Sequence, residues 1–129
     1  MSQHLHAVAL VVPDYDAALA FYVGKLGFTL IADEDQGGGK RWVMVAPPGA
    51  AQTRLLLARA VGPAQEQVVG AQAGGRVFLF LHTDDFAGDH ARMTAAGVEF
   101  EEAPRHEAYG SVAVFRDPFG NRWDLLQPA

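Results

Sequence analysis

The chain contains no cysteine, so disulfides, thiolate metal sites and cysteine nucleophiles are excluded from the outset. No run approaches the roughly 18 consecutive apolar residues that a membrane-crossing helix needs. The opening MSQHLHAVAL lacks a basic segment followed by a long apolar stretch, which speaks against a secretory signal and predicts a cytoplasmic protein. Positive charge is scarce as well. With 10 Lys and Arg against 15 Asp and Glu, the net charge is −5 with no basic stripe to offset it, so neither nucleic acid nor an anionic membrane is an expected partner. The GGGK at 37–40 lacks the G-x-x-x-x-G-K-[ST] spacing of a phosphate loop, and there is no G-x-S-x-G elbow or H-E-x-x-H pair. What is present is a chain of 129 residues, half of them apolar, enough for one domain, 1–129, with a real core.

The chain repeats itself. VALVVPDYDAALAFYVGKLGFTLIA (8–32) and FLFLHTDDFAGDHARMTAAGVEFEE (78–102) share one order: an apolar strand, acidic residues, a helix-length stretch, a glycine and a β-rich run. Gly27 and Gly97 fall 70 positions apart, and the same offset pairs WVMVA (42–46) with VAVFR (112–116) and Pro48 with Pro118. A slip of two residues then pairs RLLLA (54–58) with RWDLL (122–126). The expected fold is α+β, two β-α-β-β-β units over 4–58 and 77–127 forming a curved mixed sheet. Between them the Ala-, Gly- and Gln-rich stretch 59–76 reads as a linker, in which Pro63 suits the first position of a short helix.

Local chemistry supports each element. Asp14 and Asp85 are placed to cap helices, their carboxylates accepting from free backbone N–H groups. Leu19, Tyr22, Val23 and Leu26 make an apolar stripe at helical spacing, and Phe86, Met93 and Ala96 make a weaker one. Gly27 and Gly97 sit where a left-handed residue ends a helix. Val8–Val12, Val77–Leu81 and Val112–Phe115 are β-branched or aromatic runs of strand length. DPFGN (117–121) and APPGA (46–50) carry turn chemistry. DEDQGGGK (33–40) reads as a flexible hairpin loop, and Trp42 and Met44 as core packing.

The opening HAVALVVPDYDAALAFYVGKLGF and the ending FRDPFGNRWDLLQP together resemble the vicinal oxygen chelate superfamily, which holds glyoxalase I, bleomycin-resistance proteins, extradiol dioxygenases and fosfomycin-resistance proteins. The resemblance spans nearly the whole chain and implies a cleft lined by both units, completed in a homodimer. Metal-dependent members place four ligands on the concave sheet face. Carried onto this sequence, those positions are Ala7, Leu56, Phe78 (or Val77 if the register slips by one) and Asp124. Three of the four offer no lone pair, and one aspartate does not hold zinc, iron or manganese alone. The expectation is therefore no metal and no cofactor. Strand alternation from Phe78 places Phe78, Phe80 and His82 on the concave face, with Ala7, Ala9 and Val11 in the other half. Arg122 shares that face with Asp124, and Arg54 shares it with Leu56.

This is an apolar floor with a few convergent polar groups, which suits a small organic molecule. The expected ligand-binding set is Phe78, Phe80, His82, Arg54, Tyr109, Arg122 and Asp124. Tyr109 lies with His106 in RHEAYG, a loop that in the family often closes over the site. The alternative is a lyase, isomerase or dioxygenase of the superfamily acting on a small organic substrate; in a lyase or isomerase Asp124 is the general base, with His82 or Tyr109 as acid partner. Each polar residue also has a plainer role. Asp124 and Arg122 suit a structural ion pair as well as ligand contacts, and His82 suits a backbone-bonded residue at a strand end. His4 and His6 read as solvent-facing or helix-side, and no partner is evident for His90.

Overall fold

The computed structural model describes residues 1–49 and 52–129, so the last residue of the APPGA turn lies outside the described residues. The chain divides into two compact units, 1–69 and 70–129. The first holds β1 (Ala7–Val12), α1 (Tyr15–Tyr22), β2 (Thr29–Asp35), β3 (Arg41–Ala46), β4 (Arg54–Arg59) and α2 (Pro63–Val68). The second holds β5 (Val77–His82), α3 (Phe86–Ala95), β6 (Glu99–Phe100), β7 (Arg105–Glu107), β8 (Gly110–Arg116) and β9 (Arg122–Pro128).

Each unit builds its own mixed sheet, and the two share a topology: β1-β4-β3-β2 in the first, β5-β9-β8-β6 in the second, with β7 added beside β8. The first strand of each unit runs parallel to the last, and the remaining pairs are antiparallel. A parallel return needs a crossover, and the intervening helix and strands supply it. In the first unit six successive pairs run from Ala7 with Arg54 to Val12 with Arg59. In the second, Val77 pairs with Arg122 but Leu79 pairs with Trp123. This bulge leaves one extra residue, Phe78, and turns the offset between the halves from 70 to 71 for the rest of the strand.

Both helices start as the sequence predicts. The Asp14 carboxylate accepts from the Ala17 N–H at 2.8 Å, and that of Asp85 from the Gly88 N–H at 3.1 Å. Gly27 and Gly97 carry φ of 87° and 91°, the left-handed geometry that glycine adopts without steric cost. The apolar stripe of α1 differs from the expected one: Tyr15, Ala18, Phe21 and Tyr22 are the buried residues, with Leu26 buried just beyond the helix. Leu19 and Val23 are only half-buried, because the face that meets the sheet is rotated toward the aromatic side chains. Phe86 and Met93 are buried on α3, while Ala96 is intermediate. The short α2 does begin at Pro63, and none of its residues is buried.

The core of each unit lies between helix and sheet. Leu10, Val12, Val43, Val45 and Leu57 are fully buried in the first; Ala113, Phe115 and Leu125 are in the second, where Trp123 stacks on Phe115 at 5.7 Å. His90 belongs to this layer, its ring 4.3 Å from that of Phe100 and stacked on Phe86. Of the two β3 residues expected in the core, Met44 is 2% exposed but Trp42 is 36% exposed. β2 extends through Asp35, so the hairpin loop spans only 36–40. No helix among the described residues is long and apolar enough to cross a membrane.

Candidate functional site

The face of the second sheet opposite α3 is built by strand alternation. In register across it, Asp124 on β9 lies between Phe80 on β5 and Val114 on β8. One step along, Leu126 lies between His82 and Val112; one step the other way, Arg122 lies between Val77 and Arg116. Phe80 and His82 thus share the Asp124 face as expected. The alternation does not reach back to Phe78, which sits in the bulge and is half-buried. Phe80 is 65% exposed, a large apolar surface beside a carboxylate.

Asp124 does not pair with Arg122. The Arg122 Nε donates to Glu101 at 2.9 Å and its Nη1 to the Gly75 carbonyl at 3.0 Å, while Arg116 donates to the same Glu101 oxygen at 2.8 Å. These two guanidiniums hold the Glu101 carboxyl below its usual range, Arg122 contributing more. Asp124 is left with a buried Oδ1 that has no hydrogen-bond partner. Its carboxyl is pushed above the usual range, chiefly by burial; Arg105 and Arg122 pull against that shift and Glu102 adds to it. An orphaned buried acceptor is unusual in native structures, where such atoms are nearly always bonded.

Besides Arg122, two charged residues that the sequence did not single out, Arg105 and Glu102, act on Asp124. Arg105 on β7 donates to Glu102 at 3.0 Å and reaches Glu107 at 3.4 Å. Glu102 first, and the neighbouring Tyr109 phenol second, hold its guanidinium in the charged state. Tyr109, 56% exposed, occupies the tight turn between β7 and β8, where its carbonyl accepts from the Ala129 N–H. The expected loop around RHEAYG is thus largely a strand. Its alternation separates its members: Arg105 pairs across from Val112 on the Asp124 face. His106 turns to the helix side, bonding the Ser111 hydroxyl at 2.9 Å and meeting Phe86 edge-on. The one hint in the sequence was the charge cluster EEAPR at 101–105, whose partners on β8 and β9 are distant along the chain.

On the first sheet the corresponding position is Leu56, in register with Ala9 on one side and Met44 on the other. Arg54, half-buried, stands opposite Ala7, and its backbone N–H donates to the His6 carbonyl. The positions that the resemblance assigns to metal ligands hold Ala7 and Leu56 in the first unit, and Phe78 or Val77 with Asp124 in the second, where Val77 opposite Arg122 is the register equivalent of Ala7 opposite Arg54. Only Asp124 is an ionisable donor. No cluster of three or more His, Asp or Glu suited to a metal ion occurs among the described residues. The donor set does not fit a divalent ion.

Comparison with known proteins agrees with this architecture. An uncharacterized protein of Shewanella frigidimarina is 56% identical over 128 residues, covering 98% of this chain and 95% of its own. Among solved structures, UcmS2 is similar with a TM-score of 0.84 at 31% identity, covering 98% of both chains. TnmS3, described as an antibiotic binding protein from Streptomyces sp. CB03234, matches with a TM-score of 0.79 at 36% identity, over 99% of this chain and 98% of its own. Residues 4–125 match the family model, and the chain belongs to the Glyoxalase/Bleomycin resistance protein/Dioxygenase superfamily.

Proposed function

We propose that this protein binds a small organic molecule directly, without metal, on the Asp124 face of the second sheet. The observation that carries the proposal is the buried, unpartnered Oδ1 of Asp124 next to the exposed ring of Phe80. A ligand with an apolar body and a polar hydrogen would cover the ring and supply the missing donor. Burying the ring is favourable by ~25 cal/mol per Å² of apolar area removed from water. Arg122 and His82 lie on the same face one alternation step from Asp124 and Phe80 respectively and would orient further polar groups. Tyr109 would do so from the β7–β8 turn through its neighbour Arg105, and Phe78 would add apolar area from the bulge. The likeness to TnmS3 supports this reading, because that protein is described as binding an antibiotic. The working form is a homodimer, as the family resemblance implies; sedimentation equilibrium giving a monomer at micromolar concentration would count against it.

The test is a thermal-shift screen of small organic compounds on purified protein, with elemental analysis of the same sample. Hits should raise the melting temperature of the wild type and lose affinity in both Phe80→Ala and Asp124→Ala. Unchanged binding in both variants would move the site elsewhere. One tightly held zinc, iron, nickel or manganese per subunit, lost in Asp124→Ala, would overturn the metal-free reading.

A second reading is favoured by the raised pKa of Asp124. Burial that lifts a carboxyl brings it nearer the range in which it accepts a proton efficiently at neutral pH. Asp124 would then be the general base of a lyase or isomerase, with His82 or Tyr109 as proton donor. Turnover of an α-carbonyl, epoxide or catechol compound that disappears in Asp124→Asn would establish this reading over simple binding.

A further inference from the structure

The first unit carries a pocket of its own, a cavity of about 520 Å³ where β3 and β4 meet the 36–40 loop and the start of α2. That size falls in the range of small-molecule sites. Two arginines stand at its base, one on each strand. Arg41 is saturated: it grips Asp33 through Nε at 3.1 Å and Nη2 at 2.7 Å, and Asp16 through Nη1 at 2.9 Å. Arg59 lies over the buried Tyr15 ring, its guanidinium carbon 5.6 Å from the centroid, and forms no ion pair among the described residues. A cation–π contact of this kind holds the guanidinium near the ring without using its N–H donors.

The remaining lining matches that cation with apolar surface. Trp42 is 36% exposed and Val61 68% exposed, and both line the cavity together with Leu56 and Ala58. Lys40 adds a second cation without an ion pair, and no carboxylate lines the pocket among the described residues. Gln65 supplies one more donor. Its Oε1 accepts from the Val61 N–H at 2.8 Å, which fixes the amide orientation and leaves Nε2 to donate. In a chain of net charge −5, a concavity with two uncompensated cations and no acid selects an anion, and the indole and aliphatic walls select an apolar body behind it.

We infer that this pocket binds a small aromatic carboxylate, its carboxylate on the Arg59 guanidinium and its ring against Trp42 and Val61. Arginine presents paired N–H donors that match both oxygens of a carboxylate. The residues that line it all belong to the first unit.

The chain holds two tryptophans, Trp42 in the pocket and Trp123 buried in the second sheet, so their indole N–H signals in a ¹⁵N-labelled sample report on the two units separately. Titration of the full chain with 2-naphthoate should move the Trp42 signal to saturation and leave that of Trp123 in place. 2-Naphthamide, the same body without the charge, should bind at least tenfold more weakly. Arg59→Gln should weaken 2-naphthoate at least tenfold by calorimetry. Val61→Asp alters a lining residue that is 68% exposed, and should do the same by placing a carboxylate in the pocket. Equal affinity for the two probes, undiminished naphthoate binding in Val61→Asp, movement of Trp123 instead of Trp42, or no binding at millimolar concentration would each overturn the inference.

Discussion

The two sheets are built to one plan and finished differently. Both place a parallel first and last strand at one side and antiparallel strands beyond, and both cover one face with a helix begun by an aspartate. Their other faces diverge. Across the first runs Ala9, Leu56, Met44 and Ala32, wholly apolar. Across the second runs Phe80, Asp124 and Val114, next to a network joining Glu101 with Arg116 and Arg122. The helix-side core holds the shared fold, and the opposite face is free to vary in chemistry.

The largest expected effect tests whether the shared half of that comparison holds. Leu57 and Leu125 occupy equivalent positions, each fully buried, the former between Leu10 and Val43 and the latter between Leu81 and Ala113. Alanine at either should cost about 2–5 kcal/mol in chemical denaturation. A cost confined to one half would mean that the two cores do not carry equal weight.

The next effect lies in the turns. Asp117 is 4% exposed, and its carboxylate accepts from the N–H groups of Phe119 at 3.0 Å and Asn121 at 2.8 Å and from the Asn121 side-chain amide at 2.6 Å. Asp117→Ala leaves these buried donors without an acceptor and should destabilise by about 1–3 kcal/mol or more. The equivalent residue of the first unit is Pro47, and Pro47→Ala should cost under about 1 kcal/mol. Similar losses at the two sites would erase the asymmetry.

Two smaller effects concern charge and have opposite signs. Asp124 has a raised pKa in the folded state, so the fold prefers its protonated form. The stability this group supports is full below its unfolded pKa and falls as pH rises through the folded value. Asp124→Asn should therefore raise the melting temperature at pH 7, with the gain disappearing toward pH 3. Glu101 has a lowered pKa, so its contribution is present above the unfolded value of 4.5 and fades as pH falls. Glu101→Gln should cost about 1 kcal/mol or less at neutral pH, with the deficit closing in acid. Melting curves for both variants between pH 3 and pH 8 decide the signs.

The order of elements was legible because it rests on short-range chemistry. Caps at Asp14 and Asp85, left-handed glycines at 27 and 97 and the turn at 117–121 each depend on a few adjacent residues. The pairing of Leu56 with Asp124 followed from the repeat, and the equivalent neighbours Met44 and Val114 agree with it. What escaped were interactions that only folding creates. FLFL at 78–81 is apolar throughout, so nothing in its pattern marks where the bulge falls. Glu101 meets Arg122 across 21 residues, and no local rule connects them. Trp42 looked like core because aromatic residues usually are; its place at the end of β3, beside an open loop, leaves it exposed. Whether the proposed residues act together as a site is the question the Phe80 and Asp124 variants address.

The bulge at Phe78 also has a meaning for how the chain tolerates changes in length. A single inserted residue in a strand normally reverses the phase of everything after it, sending core side chains to the surface and surface ones inward. Here the extra residue is absorbed where it occurs, and Leu81 still faces the core while Phe80 and His82 keep the Asp124 side. Deleting Phe78 should thus shorten β5 to the continuous register of β1 without scrambling the strand beyond it. The bulge acts as a local expansion joint, a place where the gene can gain or lose a codon while the reading of inside and outside stays in step.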